Sequence, residues 1–203
     1  DGADAWTVAA TGTIVVAAIG WGGWRLARLI LLRRRVALLR SANIAVGQAL
    51  EKLGGDLNRV FHDVACGDGI VDHVLVGQKG VYAIFVVARR AGRRNAVRAR
   101  DRHLWFARDP QPLPLEDFIA TAGRLARLLS KTIGSLVRVR TVLVLPGWEV
   151  EEQSGQDVLV VNERSLGMLR GWTERSESLM NEDVETLHDM LSERSISAGR
   201  TPS

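Results

Sequence analysis

The chain has 203 residues, of which 46% are apolar, so it can bury a hydrophobic core and is not an intrinsically disordered protein. Its only cysteine, Cys66, excludes an intramolecular disulfide and a cysteine-based zinc site. All but three of the 27 basic residues are arginine, and they are concentrated in residues 25–40 and 89–108, whereas residues 149–203 are acidic. We therefore expect a local basic surface that meets phosphate or lipid headgroups.

Residues 5–24 carry no charge and have the length that a helix needs to cross a hydrocarbon core. Tryptophans flank this segment and arginines follow it, as in membrane anchors: Trp6, Trp21, Trp24, Arg33, Arg34 and Arg35. We predict a single-pass transmembrane helix within residues 1–32 and a basic juxtamembrane stalk at 33–41. The positive-inside rule places the N-terminus outside the cell membrane and the following domain in the cytoplasm.

Two other interpretations of this segment fit less well. A secretory signal peptide would need a basic start and a small-residue cleavage site, and neither is visible. A buried core helix would not be expected to end in an arginine cluster.

The remaining chain alternates strand and helix patterns. Ser41 is expected to cap a helix over residues 42–53, Asn162 a helix reaching 172, and Asn181 a helix reaching about 194. Strands are predicted at 59–64, 70–76, 81–88, 95–100, 103–107, 138–145 and 157–161, with a crossover helix at 115–131. This order predicts an α/β fold, a mixed sheet of about five or six strands flanked by helices.

Several motifs between residues 42 and 172 resemble the nuclease-related domain (NERD) family, which has a PD-(D/E)xK nuclease-like fold. They are Gly47-Gln-Ala-Leu50, His62-Asp63, Val71-Asp-His-Val-Leu-Val-Gly77 and Gly80-Val-Tyr-Ala-Ile84. The resemblance implies a restriction-endonuclease-like domain at 42–175, followed by an acidic C-terminal helix and tail at 176–203.

The resemblance also implies a metal site in which most ligands are missing. The family pattern has a helix glutamate, a strand aspartate and a Glu-x-Lys pair. Here Asp72 retains the aspartate, Gln48 replaces the glutamate, and Phe85 and Val87 replace the Glu-x-Lys pair. Asp117 stands where the family has a glutamine.

Hairpin geometry leads to the same expectation without the family. With a turn at residues 77–80, Val74 faces Ala83 and Asp72 faces Phe85. A magnesium site needs several hard oxygen ligands, and one carboxylate beside a phenyl ring does not supply them. We therefore predict no metal and no cofactor.

Asp72 then has two possible roles. As a structural residue it would pair with Arg98 or Arg100, or cap a helix or a backbone turn. As a rearranged site it would bind Mg²⁺ or Mn²⁺ together with Asp63 or Asp68. His62 and His73 are expected to be packed or hydrogen-bonded strand histidines.

The second arginine cluster is the candidate binding surface. It contains Arg89, Arg90, Arg93, Arg94, Arg98, Arg100 and Arg102, with Trp105 and Phe106 close in sequence. Three interpretations stay open: a nucleic-acid surface, an anionic-lipid surface, or a solvated hairpin paired with the acidic C-terminal third.

Together these features predict a membrane-anchored, catalytically inactive nuclease-related domain. It would act in the cytoplasm as a binding or scaffold module for nucleic acid, anionic lipid or a protein partner. The alternative is a metal-dependent nuclease with a rearranged site around Asp72.

Overall fold

The computed structural model describes residues 2–53, 59–78, 80–90, 95–107, 109–154, 157–170 and 179–195; the side chains of residues 2–19, 35, 53 and 170 are not described. The chain forms two compact units, Asp1–Arg40 and Ser41–Ser203.

One helix, α1 (Gly2–Leu53), runs from the first unit into the second. A helix start at Ser41 is therefore wrong. The reason is local, since residues 24–46 contain neither glycine nor proline and are rich in leucine, alanine and arginine, which favour a helix.

The described part of the first unit exposes many large apolar side chains. They include Trp21, Trp24, Leu26, Leu29, Ile30, Leu31, Leu32 and Val36. No helix in the described part of the chain combines the length and apolar character that crossing a bilayer requires. Most of the predicted span, including Trp6, lies in residues 1–19, whose side chains are not described. The side chain of Arg35 is not described either. The transmembrane helix therefore stays a prediction.

Nine strands form in the described part of the second unit. They are β1 (Arg59–Cys66), β2 (Gly69–Gly77), β3 (Gly80–Val86), β4 (Ala96–Arg100), β5 (His103–Phe106), β6 (Leu113–Pro114), β7 (Val139–Val144), β8 (Glu149–Gln153) and β9 (Val158–Val161). The first sheet has the order β1-β2-β3-β7-β9. Strands β1, β2 and β3 pair antiparallel, and β3, β7 and β9 pair parallel. The second sheet has the order β6-β5-β4-β8, and β8 runs parallel to β4.

The prediction of a mixed α/β fold is confirmed, but the prediction of a single sheet is wrong. Strands β4 and β5 pair with β6 and β8 instead of extending the first sheet. Strand β8 was not predicted, because Glu149-Val-Glu-Glu-Gln153 has one apolar residue and no alternation. The side chain of Gln153 links the two sheets, since it accepts from Val160 N–H and donates to the Val158 carbonyl, both at 3.2 Å.

Three helical segments follow α1 in the described part of the chain: α2 (Glu116–Ile133), a short 3-10 helix (Leu166–Arg170) and α3 (Asn181–Arg194). Helix α2 is the predicted crossover. Asn162 caps a turn through Ser165 N–H at 2.9 Å, but only the 3-10 helix follows, and the predicted end at residue 172 lies outside the described residues. A cap at Asn181 is wrong, because Met180 holds that position without a side-chain bond.

Two hydrophobic clusters cover the two faces of the first sheet. Helices α2 and α3 and the inner face of the second sheet pack in the first cluster, with Val74, Val76 and Phe85. Val46 and Leu50 of α1 pack in the second cluster, with Leu75, Ile84 and Val142. The alternation of side chains along a strand explains this separation.

Candidate functional site

Asp72 stands where the β2–β3 ladder ends. Val76 faces Val81 and Val74 faces Ala83, as predicted, but the last pair is His73 with Ile84. The register is therefore the predicted one, which sets Asp72 opposite Phe85, but the paired residues end one position before these two. The carboxylate instead accepts a hydrogen bond from Val86 N–H at 2.7 Å (Oδ2) and one from the Asn43 amide at 3.4 Å (Oδ1). It satisfies a strand donor that the ladder leaves open.

The predicted pairing of Asp72 with an arginine is wrong, since Arg98 binds Glu151 and Arg100 binds Asp101. Burial raises the pKa of the Asp72 carboxyl. The hydrogen bonds from Val86 and Asn43 lower it, and the nearby charge of Asp63 raises it further. Asp72 therefore acts as a backbone cap, a side-chain acceptor for the N–H group at the end of the β2–β3 ladder.

The other motif positions lie in different surroundings. Gln48 is exposed on α1. Phe85 is buried in the first cluster, where its ring meets that of Phe118 edge-on at 5.2 Å, and Val87 packs against the same cluster. Asn43, the partner of Asp72, comes from α1, whose buried residues belong to the second cluster. Asp72 thus contacts the backbone between Phe85 and Val87, while those two side chains pack in or against the first cluster.

The two substitute acids lie at irregular points of the backbone. Asp63 has a left-handed φ of 50°, and the β1–β2 ladder skips it between the pairs His62–His73 and Val64–Val71. Asp68 lies in the turn that joins β1 and β2. In the described ranges, no group of three or more His, Cys, Asp or Glu side chains could hold a metal ion.

A histidine pair lies beside Asp72. His62 Nδ1 and His73 Nδ1 are 2.8 Å apart, so one of them donates to the other, and Glu51 of α1 lies 3.5 Å from His62 Nε2. Burial, and next the charge of His62, lower the pKa of His73 to about 4. The backbone of Asn43 acts in the opposite direction, but no described atom hydrogen-bonds His73 Nε2.

The sequence of α1 contains a periodic pattern that indicates this contact with the histidine pair. Asn43, Gly47 and Glu51 recur every four residues and so share one face of α1. Gly47 is needed there, because a Cβ would lie 3.2 Å from His62 and 3.3 Å from His73. The glycine lets the helix approach the two imidazoles.

The model of the nuclease-related domain matches residues 40–146, just over half of the chain. The chain belongs to the nuclease-related domain family. No curated protein and no solved structure matches it. The matched residues include α1 from Arg40, the β1–β3 meander with Asp72, the arginine region and α2.

The divalent metal site expected of this fold does not fit this nuclease-related domain. Both Asp72 oxygens accept hydrogen bonds from protein groups, and Phe85 and Val87 pack in the core. A hydrated Mg²⁺ requires oxygen ligands that these side chains do not supply.

The arginines of the candidate binding surface are largely ion-paired where they are described. Arg89 binds Asp109 at 2.6 Å and covers the Phe106 ring, Arg98 binds Glu151 at 3.1 Å, Arg100 binds Asp101 at 3.3 Å and Arg102 binds Asp157 at 2.9 Å. Arg90 is exposed, and Arg93 and Arg94 lie outside the described residues. Two of the acids, Glu151 and Asp157, come from the acidic C-terminal third, in agreement with the third interpretation above.

Proposed function

We propose that this chain is a membrane-anchored nuclease-related domain that does not cleave nucleic acid and acts as a cytoplasmic binding or scaffold module. One observation carries the proposal. The two carboxylate oxygens of Asp72, the single retained motif acid, accept hydrogen bonds from Val86 N–H and the Asn43 amide.

The requirements of metal-dependent phosphodiester hydrolysis support the proposed lack of catalysis. Metal-dependent phosphodiester hydrolysis needs a cation held by several carboxylates, so that it can activate water and stabilise the charge that develops. Drawing Asp72 towards a metal would leave the Val86 donor without its partner, at a cost of about 1–3 kcal/mol. A second carboxylate on β3 would have to replace Phe85, whose ring packs on Phe118.

The composition of α1 supports the anchor. Exposed apolar side chains surround the described part of the helix from Trp21 to Val36, and they need lipid or protein cover. The guanidinium groups of Arg25 and Arg28 lie 5.2 and 5.5 Å from the rings of Trp21 and Trp24. Paired tryptophans and arginines suit the headgroup region, and the arginines favour a cytoplasmic position for the following domain.

The partner belongs to one of three classes: nucleic acid, anionic lipid or protein. The arginine content of residues 89–108 supports the first two. Because exposed ion pairs contribute only about 0–1 kcal/mol, a phosphate could displace Glu151 or Asp157 at low cost.

A second candidate is a metal-dependent nuclease built on Asp72 and Asp63. It is favoured by the proximity of the two carboxylates, since the charge of Asp63 raises the pKa of Asp72. Mg²⁺ or Mn²⁺ would be its cofactor.

One preparation tests both parts of the proposal. The full chain should stay in the membrane fraction after alkaline carbonate washing. After solubilisation in detergent it should leave plasmid and single-stranded DNA intact in Mg²⁺ or Mn²⁺. Release by carbonate would contradict the anchor. Cleavage that Asp72→Ala abolishes, and that the matched variant Asp189→Ala on the exposed face of α3 retains, would establish the second candidate.

A further inference from the structure

The outer face of the second sheet carries an open pocket that no part of the nuclease motif uses. Its volume is about 400 Å³, within the range of roughly 300–1,000 Å³ typical of ligand sites. Its lining contains Ala96, Arg98, Trp105, Phe106, Ala107 and Glu151. Arg98 and Trp105 alternate along β4 and β5 with Val97 and Leu104, which are buried in the core, and so face the other side; Phe106 also lines the pocket but belongs to the core cluster.

An exposed indole dominates this pocket. Trp105 is 45% exposed, although most large aromatic side chains of a folded domain are covered. It pairs across the strands with Arg98, and the His103 ring lies 6.4 Å from it. Ala96 and Ala107 beside it have short side chains, so the indole borders a depression and not a flat surface.

The polar side chains at the pocket supply both donors and an acceptor. Arg98 Nε donates to Glu151 Oε2 at 3.1 Å, and both side chains are about half exposed. A guanidinium has five N–H donors, so Arg98 keeps others for a ligand. Arg100 follows two residues later, on the same face of β4, and is also exposed. The site therefore offers a stacking surface, a donor and acceptor pair, and basic side chains beside it.

We propose that this pocket binds an unpaired nucleobase of single-stranded nucleic acid, stacked on Trp105, with Arg98 and Glu151 at the edge of the base and Arg100 near the backbone phosphates. Aromatic side chains on an open sheet face bind single strands because every base presents a π face. Tryptophan and arginine also suit lipid headgroups, but the Glu151 carboxylate in the same pocket would repel an anionic headgroup, whereas it can accept a hydrogen bond from the edge of a base. The inference rests on the binding role proposed above and does not depend on the lack of catalysis.

The test is fluorescence anisotropy of a labelled 15-nucleotide single-stranded DNA with the full chain in detergent, in EDTA so that no cleavage occurs. We expect Trp105→Ala to weaken binding about five-fold or more, and Trp105→Phe to retain part of the affinity. The matched control is Leu136→Ala, an exposed apolar side chain outside the pocket, which should bind like the wild type.

Two further ligands separate stacking from charge. An oligomer of abasic sites keeps the phosphates but has no bases, and a blunt duplex keeps its bases paired; both should bind more weakly than the single strand. The proposal that the pocket binds a base would be contradicted if the abasic oligomer bound as tightly as the single strand, or if Trp105→Ala bound the single strand as tightly as the wild type. It would also be contradicted by a wild-type chain that binds no single strand, whether or not it binds phosphatidylglycerol vesicles. DNA cleavage in Mg²⁺ would contradict only the proposed lack of catalysis.

Discussion

At the scale of single residues, His73 forms a buried contact next to Asp72. The ring is almost fully buried, and its Nδ1 pairs with His62 Nδ1. Burial, and next the charge of His62, lower the pKa of His73 to about 4, and the hydrogen bond with the Asn43 backbone only partly offsets them. The folded chain therefore keeps His73 neutral over a pH range in which the unfolded chain protonates it.

The expected consequence is a loss of stability in mild acid. The contribution of neutral His73 is complete above the ordinary pKa of 6.5 and is lost as the pH falls from there towards about 4. Between pH 7 and pH 5 the free energy of unfolding should fall by about 2 kcal/mol for this residue. Urea unfolding of the detergent-solubilised chain at the two pH values measures the difference.

His73→Phe removes the titrating group and keeps the site filled, so it should abolish most of this pH dependence. His103→Gln changes a histidine that is only half-buried and should keep it. An equal pH dependence in the wild type and His73→Phe would show that His73 is not the residue responsible.

The sequence predicted that Asp72 lacks a second ligand, but not which groups it contacts. Asp72 binds Val86 N–H because the β2–β3 ladder ends early, and Asn43 reaches it from a helix 29 residues earlier. Neither contact follows from strand alternation. The spacing of Asn43, Gly47 and Glu51 was readable, but only with the knowledge that this face of α1 packs on β1 and β2.

Among the elements, α2 depends on one close approach to the β1–β2 turn. Thr121 donates to the Asp117 carbonyl, and Arg124 donates to Thr121 Oγ1 at 2.7 Å and to the Cys66 carbonyl at 3.2 Å. Gly69 leaves room for this contact, since a Cβ there would lie 2.9 Å from Thr121 Cγ2, Thr121 Oγ1 and Arg124 Nη2.

We expect Gly69→Ala to destabilise the domain by about 1–3 kcal/mol, because buried Thr121 cannot move away without losing its hydrogen bonds. Gly123→Ala in the same helix meets no atom within 4 Å and should stabilise it by about 0.5–1 kcal/mol. Urea unfolding of both variants checks the opposite signs, and a neutral Gly69→Ala would contradict this packing.

The elements with strong periodicity were predicted well, and those without it were not. The apolar runs of β2, β3 and β7 and the apolar stripe of α2 fixed their own positions within a few residues. Strand β8 was not predicted because it pairs with β4, about fifty residues earlier in the chain, and its own sequence has no apolar alternation. The second sheet, and with it the pocket at Trp105, could not be predicted from local sequence.

At the scale of the whole molecule, the proposed function requires the nuclease-related fold to persist without metal chemistry. The family match extends over α1 from Arg40, the β1–β3 meander and α2, the elements that would build a nuclease site. On this framework Asp72 serves as a backbone cap and Phe85 belongs to the core. Metal ligands can be lost without loss of the fold because hydrophobic packing on both faces of the first sheet stabilises it.

Manganese binding tests this account most directly, because it asks whether Asp72 can hold a cation at all. Electron paramagnetic resonance of free Mn²⁺, titrated with the detergent-solubilised chain, should show the same weak uptake for the wild type and for Asp72→Asn. Stoichiometric uptake by the wild type that Asp72→Asn abolishes would contradict the account.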